Sequence, residues 1–280
     1  MRIGVHARRE AGLLDSVRRC AEIGCETIQI FAANPNAWHT AEIRPEVAAS
    51  FRSVVKELDL RPTVIHTPYL LNLASPDPAI GGKSTAALAD NLRRGEVIGA
   101  DFVVTHIGSH KGSGHEQGIE QVCRSVISVL DQLSTDVVLL LENSAGAGNS
   151  VGSMFEGLRK ILDCMDGYLD RLGICLDTAH LYGAGYDLST PDAVDRTFSD
   201  FGRIVGYENL KLLHTNDTKV ELGSKRDRHA NIGTGNIGIA GFEAIMNYPP
   251  LHDLAAIIET PARAIDDDQH DVQIMKDLRQ

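Results

Sequence analysis

Eight short apolar runs, rich in β-branched residues, recur along this chain, each followed by a segment with apolar positions at helical spacing. They are Arg2–His6, Glu26–Phe31, Thr63–His66, Phe102–His106, Val137–Glu142, Leu172–Asp177, Leu210–His214 and Leu254–Glu259. Alternation of strands and helices on this scale implies a parallel sheet with right-handed crossovers. Eight such units predict a (β/α)8 TIM barrel spanning residues 1–280 as a single domain, with its active site at the C-terminal face of the strands. An open doubly wound sheet would carry a glycine-rich phosphate fingerprint after its first strand. His6-Ala-Arg-Arg-Glu-Ala-Gly12 stands there instead.

Helix signals fill the intervals. Leu13–Ile23, Glu116–Leu133 and Asp266–Leu278 have helical periodicity. Pro45 opens a helix through Leu58, as proline suits the first helical position. Ser84–Ile98 reads as helix, with Gly99 at its C-terminus. Ser153 is the expected N-cap of a helix to Met165, and Thr190-Pro191 starts the next. Thr215–Gly238 reads as a long loop before a helix near Ala240–Met246.

The chemistry lies in how the strands end. The third to eighth runs finish in His66, His106, Glu142, Asp177, His214 and Glu259. His180 follows the sixth within a turn, and the long seventh loop carries Asp227-Arg-His229. One histidine at a strand end is ordinarily a hydrogen-bonded core residue, and one aspartate a helix cap. Six consecutive strands ending this way have no structural reason to converge on these residue types. So many titratable groups at one rim are costly unless cations compensate.

Five imidazoles and four carboxylates exceed what one tetrahedral ion can use. The set suits two or three ions, with a carboxylate bridging. Mixed donors favour zinc, with manganese or iron as alternatives. The chain has a net charge of −11, which argues against a polyanion partner when read alone. Three divalent ions against four carboxylates, however, leave about +2 at the rim, a pocket fit for phosphate. Clustered divalent ions suit a phosphodiester displacement.

Five cysteines, Cys20, Cys25, Cys123, Cys164 and Cys175, are scattered without a CxxC pair. They are expected as buried packing residues and not as a disulfide framework or thiolate site. No run approaches a membrane span and no secretory leader is visible, so a cytoplasmic protein is expected.

These residues resemble the endonuclease IV family, metal-dependent apurinic/apyrimidinic endonucleases of base excision repair. The resemblance is carried by Ile65-His-Thr-Pro-Tyr-Leu-Leu-Asn-Leu73, Thr105-His-Ile-Gly-Ser-His110, Leu141-Glu-Asn-Ser-Ala-Gly146 and Cys175-Leu-Asp-Thr-Ala-His180. Gly185-Tyr-Asp187, His214-Thr-Asn-Asp-Thr-Lys219, Gly223-Ser-Lys-Arg-Asp-Arg-His229, Gly233-Thr-Gly-Asn-Ile-Gly238 and Ile257-Ile-Glu-Thr260 continue it. It implies three zinc ions. His66 and His106 would hold the first, with Glu142 bridging to a second completed by Asp177, His214 and Glu259. His180, Asp227 and His229 would hold the third. It further implies cleavage 5′ to abasic sites in double-stranded DNA, by hydroxide held between the first two ions, with Glu142 central to catalysis. The products would be a 3′-hydroxyl and a 5′-deoxyribose phosphate, and blocked 3′ ends would be trimmed as well. Tyr69 and Leu70 match positions that fill the gap left by a flipped nucleotide. A monomer is expected.

Two loops depart from the family. Asn36 stands where relatives often carry a basic residue, and Arg8 and Arg9 replace a run of small residues. An arginine there is the expected substitute phosphate contact. The chief alternative is a sugar isomerase or epimerase of the related xylose-isomerase-like barrels. Such an enzyme uses one or two ions and has no need of His180 with Asp227 and His229. The other alternative is a DNA-binding relative with weakened lesion recognition, against which the filled ligand set argues.

Overall fold

The structure, a computed structural model, describes residues 1–8, 12–32, 34–38, 41–261 and 265–280. Eight parallel strands close into a barrel. They are β1 (Arg2–His6), β2 (Thr27–Ile30), β3 (Thr63–His66), β4 (Phe102–His106), β5 (Val138–Glu142), β6 (Leu172–Asp177), β7 (Leu210–His214) and, last in the chain, β10 (Ala255–Ile258). Neighbours run in sequence order, and β10 closes the ring between β7 and β1. The short pair β8 (Asp217–Thr218) and β9 (His229–Ala230) lies in the seventh loop. The expected (β/α)8 barrel is therefore observed.

Helices α1 (Leu13–Glu22), α2 (Pro45–Glu57), α3 (Pro78–Ile98), α4 (His115–Gln132), α5 (Phe155–Asp163), α6 (Thr178–Ala184), α7 (Pro191–Ile204), α8 (Gly238–Met246) and α9 (Ile265–Leu278) fill the connections. The α7 cap is as expected, with Thr190 accepting from Ala193 N–H and Pro191 following. Gly99 ends α3 at φ 71°, a left-handed conformation that suits glycine.

Three local expectations are corrected. Helix α3 begins at Pro78, because Asp77 caps it by accepting from Ala79 and Ile80 N–H. Ser84 is buried inside that helix, bonded to Asn72 N–H and the Ile80 carbonyl. Met154 and not Ser153 occupies the α5 cap position, with no side-chain cap bond. Cys123 on α4 and Cys164 at the end of α5 are joined as a disulfide, and only Cys20, Cys25 and Cys175 are free packing cysteines. Distant cysteines on neighbouring helices meet through packing that sequence spacing does not encode.

Strand alternation sets the site. Val64, Val104, Leu140, Cys175, Leu212 and Ile257 fill the bore of the barrel, each almost fully buried. Ile65, Val103, Leu139, Leu141, Ile174 and Leu213 point the other way, into the core beneath the helices. Side chains two apart on a strand share a face. The residues two beyond the bore set are His66, His106, Glu142, Asp177, His214 and Glu259. They form the top layer of the same bore, standing on an apolar floor in which each aliphatic side chain contributes about 1.5–3 kcal/mol by leaving water. Among the described residues no helix is long and apolar enough to cross a membrane.

Candidate metal centre

All nine expected ligands meet at the carboxyl end of the strands, in three overlapping groups. His66, His106 and Glu142 form the first; Glu142, Asp177, His214 and Glu259 the second; Asp177, His180 and His229 the third. Within each group one donor atom per residue lies within 4.8 Å of the others. Asp227 joins the third group, its carboxylate 3.2 Å from His180 Nε2 and 3.1 Å from His229 Nε2. Glu142 therefore links the first two groups. Asp177 belongs to both the second and the third, as the sequence assignment had not foreseen.

Local structure delivers the loop ligands. Asp177 ends β6 and caps α6, so His180 rises one turn above it. The seventh loop is held by Asp217, whose buried carboxylate accepts from the N–H groups of Gly235, Ile237 and Gly238 at 2.9, 3.0 and 3.3 Å. Asp217 also pairs with Ala230 across the β8–β9 ribbon, which fixes His229 and places Asp227 over His180.

The hydrogen bonds of the imidazoles fit cation binding. His66 Nδ1 donates to the Thr67 carbonyl at 2.7 Å, His180 Nδ1 to the Asn143 carbonyl at 2.9 Å, and His229 Nδ1 to the Glu259 carbonyl at 3.1 Å. His214 uses its other nitrogen, Nε2, 2.9 Å from Gln29 Oε1. In each ring a proton is thereby held on one nitrogen and the other faces a carboxylate, although His180 Nδ1 also lies 3.3 Å from Glu142 Oε1. Metal-binding histidines are oriented in this way. Among the described residues His229 Nε2 is buried without a hydrogen bond, despite its approach to Asp227. That orphaned nitrogen also fits a cation.

The charges are strongly coupled. Burial opposes ionisation of Glu142, yet the imidazoles of His106 and His214 hold its carboxyl well below the usual range. Burial likewise disfavours charge on Glu259 and Asp227, but His214 in the one case and His180 with His229 in the other keep both ionised. Burial would lower His229, but Asp177 and Asp227 raise it to about 9. His180 is driven up chiefly by Asp177, against its burial. Raised imidazoles and lowered carboxylates thus compensate one another here, and metal uptake would displace the imidazole protons.

A cavity of about 610 Å³ opens over these residues, lined also by His6, Arg8, Phe31 and Tyr69. Arg8 is its only lysine or arginine among the described residues, and its Nε lies 3.2 Å from Asp268 Oδ2. Tyr69 is 60% exposed at the mouth, and Leu70, 37% exposed, lines the adjoining groove. Asn36 is exposed in the loop after β2, next to Pro35 of the cavity wall but not itself part of that wall. Arg9 lies outside the described residues.

Four residues of the site escaped sequence reasoning. Asn143 accepts Asp177 N–H at 2.6 Å, and Asn216 donates to Asp177 Oδ2 at 2.7 Å while accepting Glu259 N–H at 2.7 Å. His6 and Gln29 are the inward-facing residues near the ends of β1 and β2, paired in register. The available signal was a polar residue at that position: the closing histidine of the first strand, and a glutamine inside an otherwise apolar run.

Residues 17–278 match the family described as xylose isomerase-like TIM barrel. A protein named probable endonuclease 4 from Halothermothrix orenii is 41% identical over 261 residues, covering 93% of this chain and 94% of that one. The crystal structure of endonuclease IV from Thermus thermophilus superposes with a TM-score of 0.87 at 31% identity, over 99% of this chain and 98% of that one. A D-tagatose 3-epimerase-like protein shares the fold, with a TM-score of 0.75 at 20% identity over 99% and 97% of the two chains.

Proposed function

The chain belongs to the endonuclease IV family of xylose isomerase-like TIM barrels and is an enzyme of the deoxyribonuclease IV type, and from that premise we propose that it repairs double-stranded DNA by hydrolysing the phosphodiester 5′ to abasic sites. The products are a 3′-hydroxyl and a 5′-deoxyribose phosphate. The same hydrolysis at a blocked 3′ terminus trims the end. One observation carries this reading: nine imidazole and carboxylate side chains converge in three linked groups at the barrel mouth.

His66, His106 and Glu142 would hold one divalent ion, Glu142, Asp177, His214 and Glu259 a second, and His180, Asp227 and His229 a third. The mixed donors suit zinc, with manganese or iron able to fill the same sets. When bound, such ions supply Lewis acidity to the phosphoryl oxygens and bring the deprotonation of water close to neutral pH.

The chain's own residues do the rest. Glu142 and Asp177, both buried, fix the spacing of the groups. The rings of His66 and Tyr69 lie 5.8 Å apart, so Tyr69 stands beside the cavity it can close. With Leu70 it offers an aromatic and an apolar wedge against unstacked bases. Arg8 presents a guanidinium at the cavity wall to a backbone phosphate. A monomer suffices for this reading, since one chain supplies every group used here.

The third group separates this reading from a sugar epimerase, because an epimerase that uses one or two ions leaves His180, Asp227 and His229 without a task. Incubation with a duplex carrying a single tetrahydrofuran site, with zinc and with chelator, tests the proposal. A nick 5′ to the lesion is expected only with metal. An intact duplex in the zinc-replete sample overturns the reading.

A further inference from the structure

The top layer of the bore has eight inward-facing side chains, one from each strand. Six are the strand-end ligands. The other two are His6 and Gln29, and both touch Glu259. Gln29 is fully buried. A primary amide left unpaired in such a place costs about 1–3 kcal/mol, so its bonds decide why it is tolerated.

Both ends of the amide are used. Its Nε2 donates to Glu259 Oε1 at 2.6 Å and lies 3.0 Å from His6 Nδ1, and its Oε1 is 2.9 Å from His214 Nε2. The direction of the amide follows from its partners. An ionised carboxylate only accepts, so the NH2 faces Glu259 and the carbonyl is left to His214. A carbonyl cannot donate, so His214 donates from Nε2. Its Nδ1 is then the nitrogen that faces Glu142 Oε1 and Glu259 Oε2, each 3.2 Å away.

We infer that Gln29 is a positioning residue of the second ligand group, fixing at once which nitrogen His214 presents and where the Glu259 carboxylate stands. The inference rests on the metal reading above, since it concerns how a cation is held. Gln29 touches no substrate and acts only through His214 and Glu259. Without its carbonyl the His214 ring loses the contact that keeps Nε2 turned away from the group. Without its NH2 the Glu259 carboxylate keeps His6 and the more distant Asn216. Partners of this kind change metal affinity by about 10–100-fold when removed.

Zinc binding tests this without reference to nuclease activity. Metal-free protein is titrated with zinc against a chromophoric chelator, and the number and affinity of the ions are read for the native chain, Gln29→Met and Gln29→Glu. Methionine keeps the length of the side chain and removes both polar ends. The native chain is expected to bind three ions, and Gln29→Met to hold one of them about 10–100-fold more weakly while the others are unchanged. Gln29→Glu, which beside the Glu259 carboxylate is held protonated and is then isosteric with the amide, keeps an acceptor for His214 Nε2–H and an O–H for Glu259 Oε1, so it is expected to hold that ion more tightly than Gln29→Met. This comparison guards against a general folding defect, which would weaken both variants alike. Native-like affinity in Gln29→Met, or equal loss in both variants, overturns the inference and leaves the metal reading standing. A native chain that binds no zinc overturns both.

Discussion

The carboxylate of Asp177 accepts the backbone N–H of His180 at 2.9 Å through Oδ1, while Oδ2 turns towards His229 Nε2, 3.6 Å away. One side chain thus caps a helix and faces the third ligand group. A capping aspartate and an aspartate facing the other candidate ligands, alternatives when only the sequence is considered, are here the two oxygens of the same carboxylate.

Asp177→Asn separates the two roles. Asparagine caps a helix about as well as aspartate. Its amide nitrogen would face the Asn216 NH2, which now donates to Oδ2 at 2.7 Å. A stability loss of about 1–2 kcal/mol is expected in chelator, read by thermal melting. Zinc uptake should fall by at least one ion per chain. Unchanged stoichiometry by elemental analysis would remove Asp177 from the ligand set.

Glu142 joins the first group to the second, with His106 Nε2 at 3.1 Å and His214 Nδ1 at 3.2 Å on its two oxygens. Glu142→Gln keeps the shape and removes the charge. Nicking of a tetrahydrofuran duplex is expected to slow by about 100-fold or more, the scale at which loss of one preorganised electrostatic group is felt. Melting should show a folded protein. Near-normal nicking would show that the two groups do not depend on a shared carboxylate.

Arg8 is the one lysine or arginine on the cavity wall among the described residues. Arg8→Ala is expected to weaken binding to any duplex and to reduce the slope of log K against log salt by about 1. Fluorescence anisotropy over a salt series measures both. An unchanged slope would show that no phosphate is neutralised there.

Asp268 gives a pH dependence with a definite sign. Its burial, with Asp271 and Asp267 nearby, raises its carboxyl to about 6, although Arg8 works in the opposite sense. The unfolded carboxyl titrates near 4, roughly, so between these values the folded state binds the extra proton. Stability from this group is therefore greatest below that window and falls as pH rises to about 6. Asp268→Asn, which cannot ionise, should remove the decline and gain on the order of 1–2 kcal/mol at pH 7 relative to the native chain. Chemical denaturation from pH 4 to 7 reads this. Parallel curves for the two proteins would show that Asp268 is not held protonated by the fold.

The linear chain by itself determined the barrel and six of the candidate ligands. Strand alternation is local: once Val64, Leu140 or Leu212 faces the bore, the residue two further on must face it too, whatever the rest of the chain does. His66, Glu142 and His214 were legible for that reason. His180, Asp227 and His229 lie beyond the strand ends and have no periodicity to reveal them; they were legible only as metal-competent residues in the turn after the sixth strand and in the long seventh loop, and the motif resemblance grouped them as one set. Only the tertiary structure decided the rest. Cys123 and Cys164 meet because α4 packs on α5. Asp227 reaches His180 because Asp217 folds the seventh loop back across the rim. Gln29 meets His214 and Glu259 because the barrel closes between β1 and β10 and brings residues 185 and 230 positions apart into contact. Such contacts run across the bore, and their distances are set by closure and stagger of the whole sheet. No local pattern in the chain carries that information.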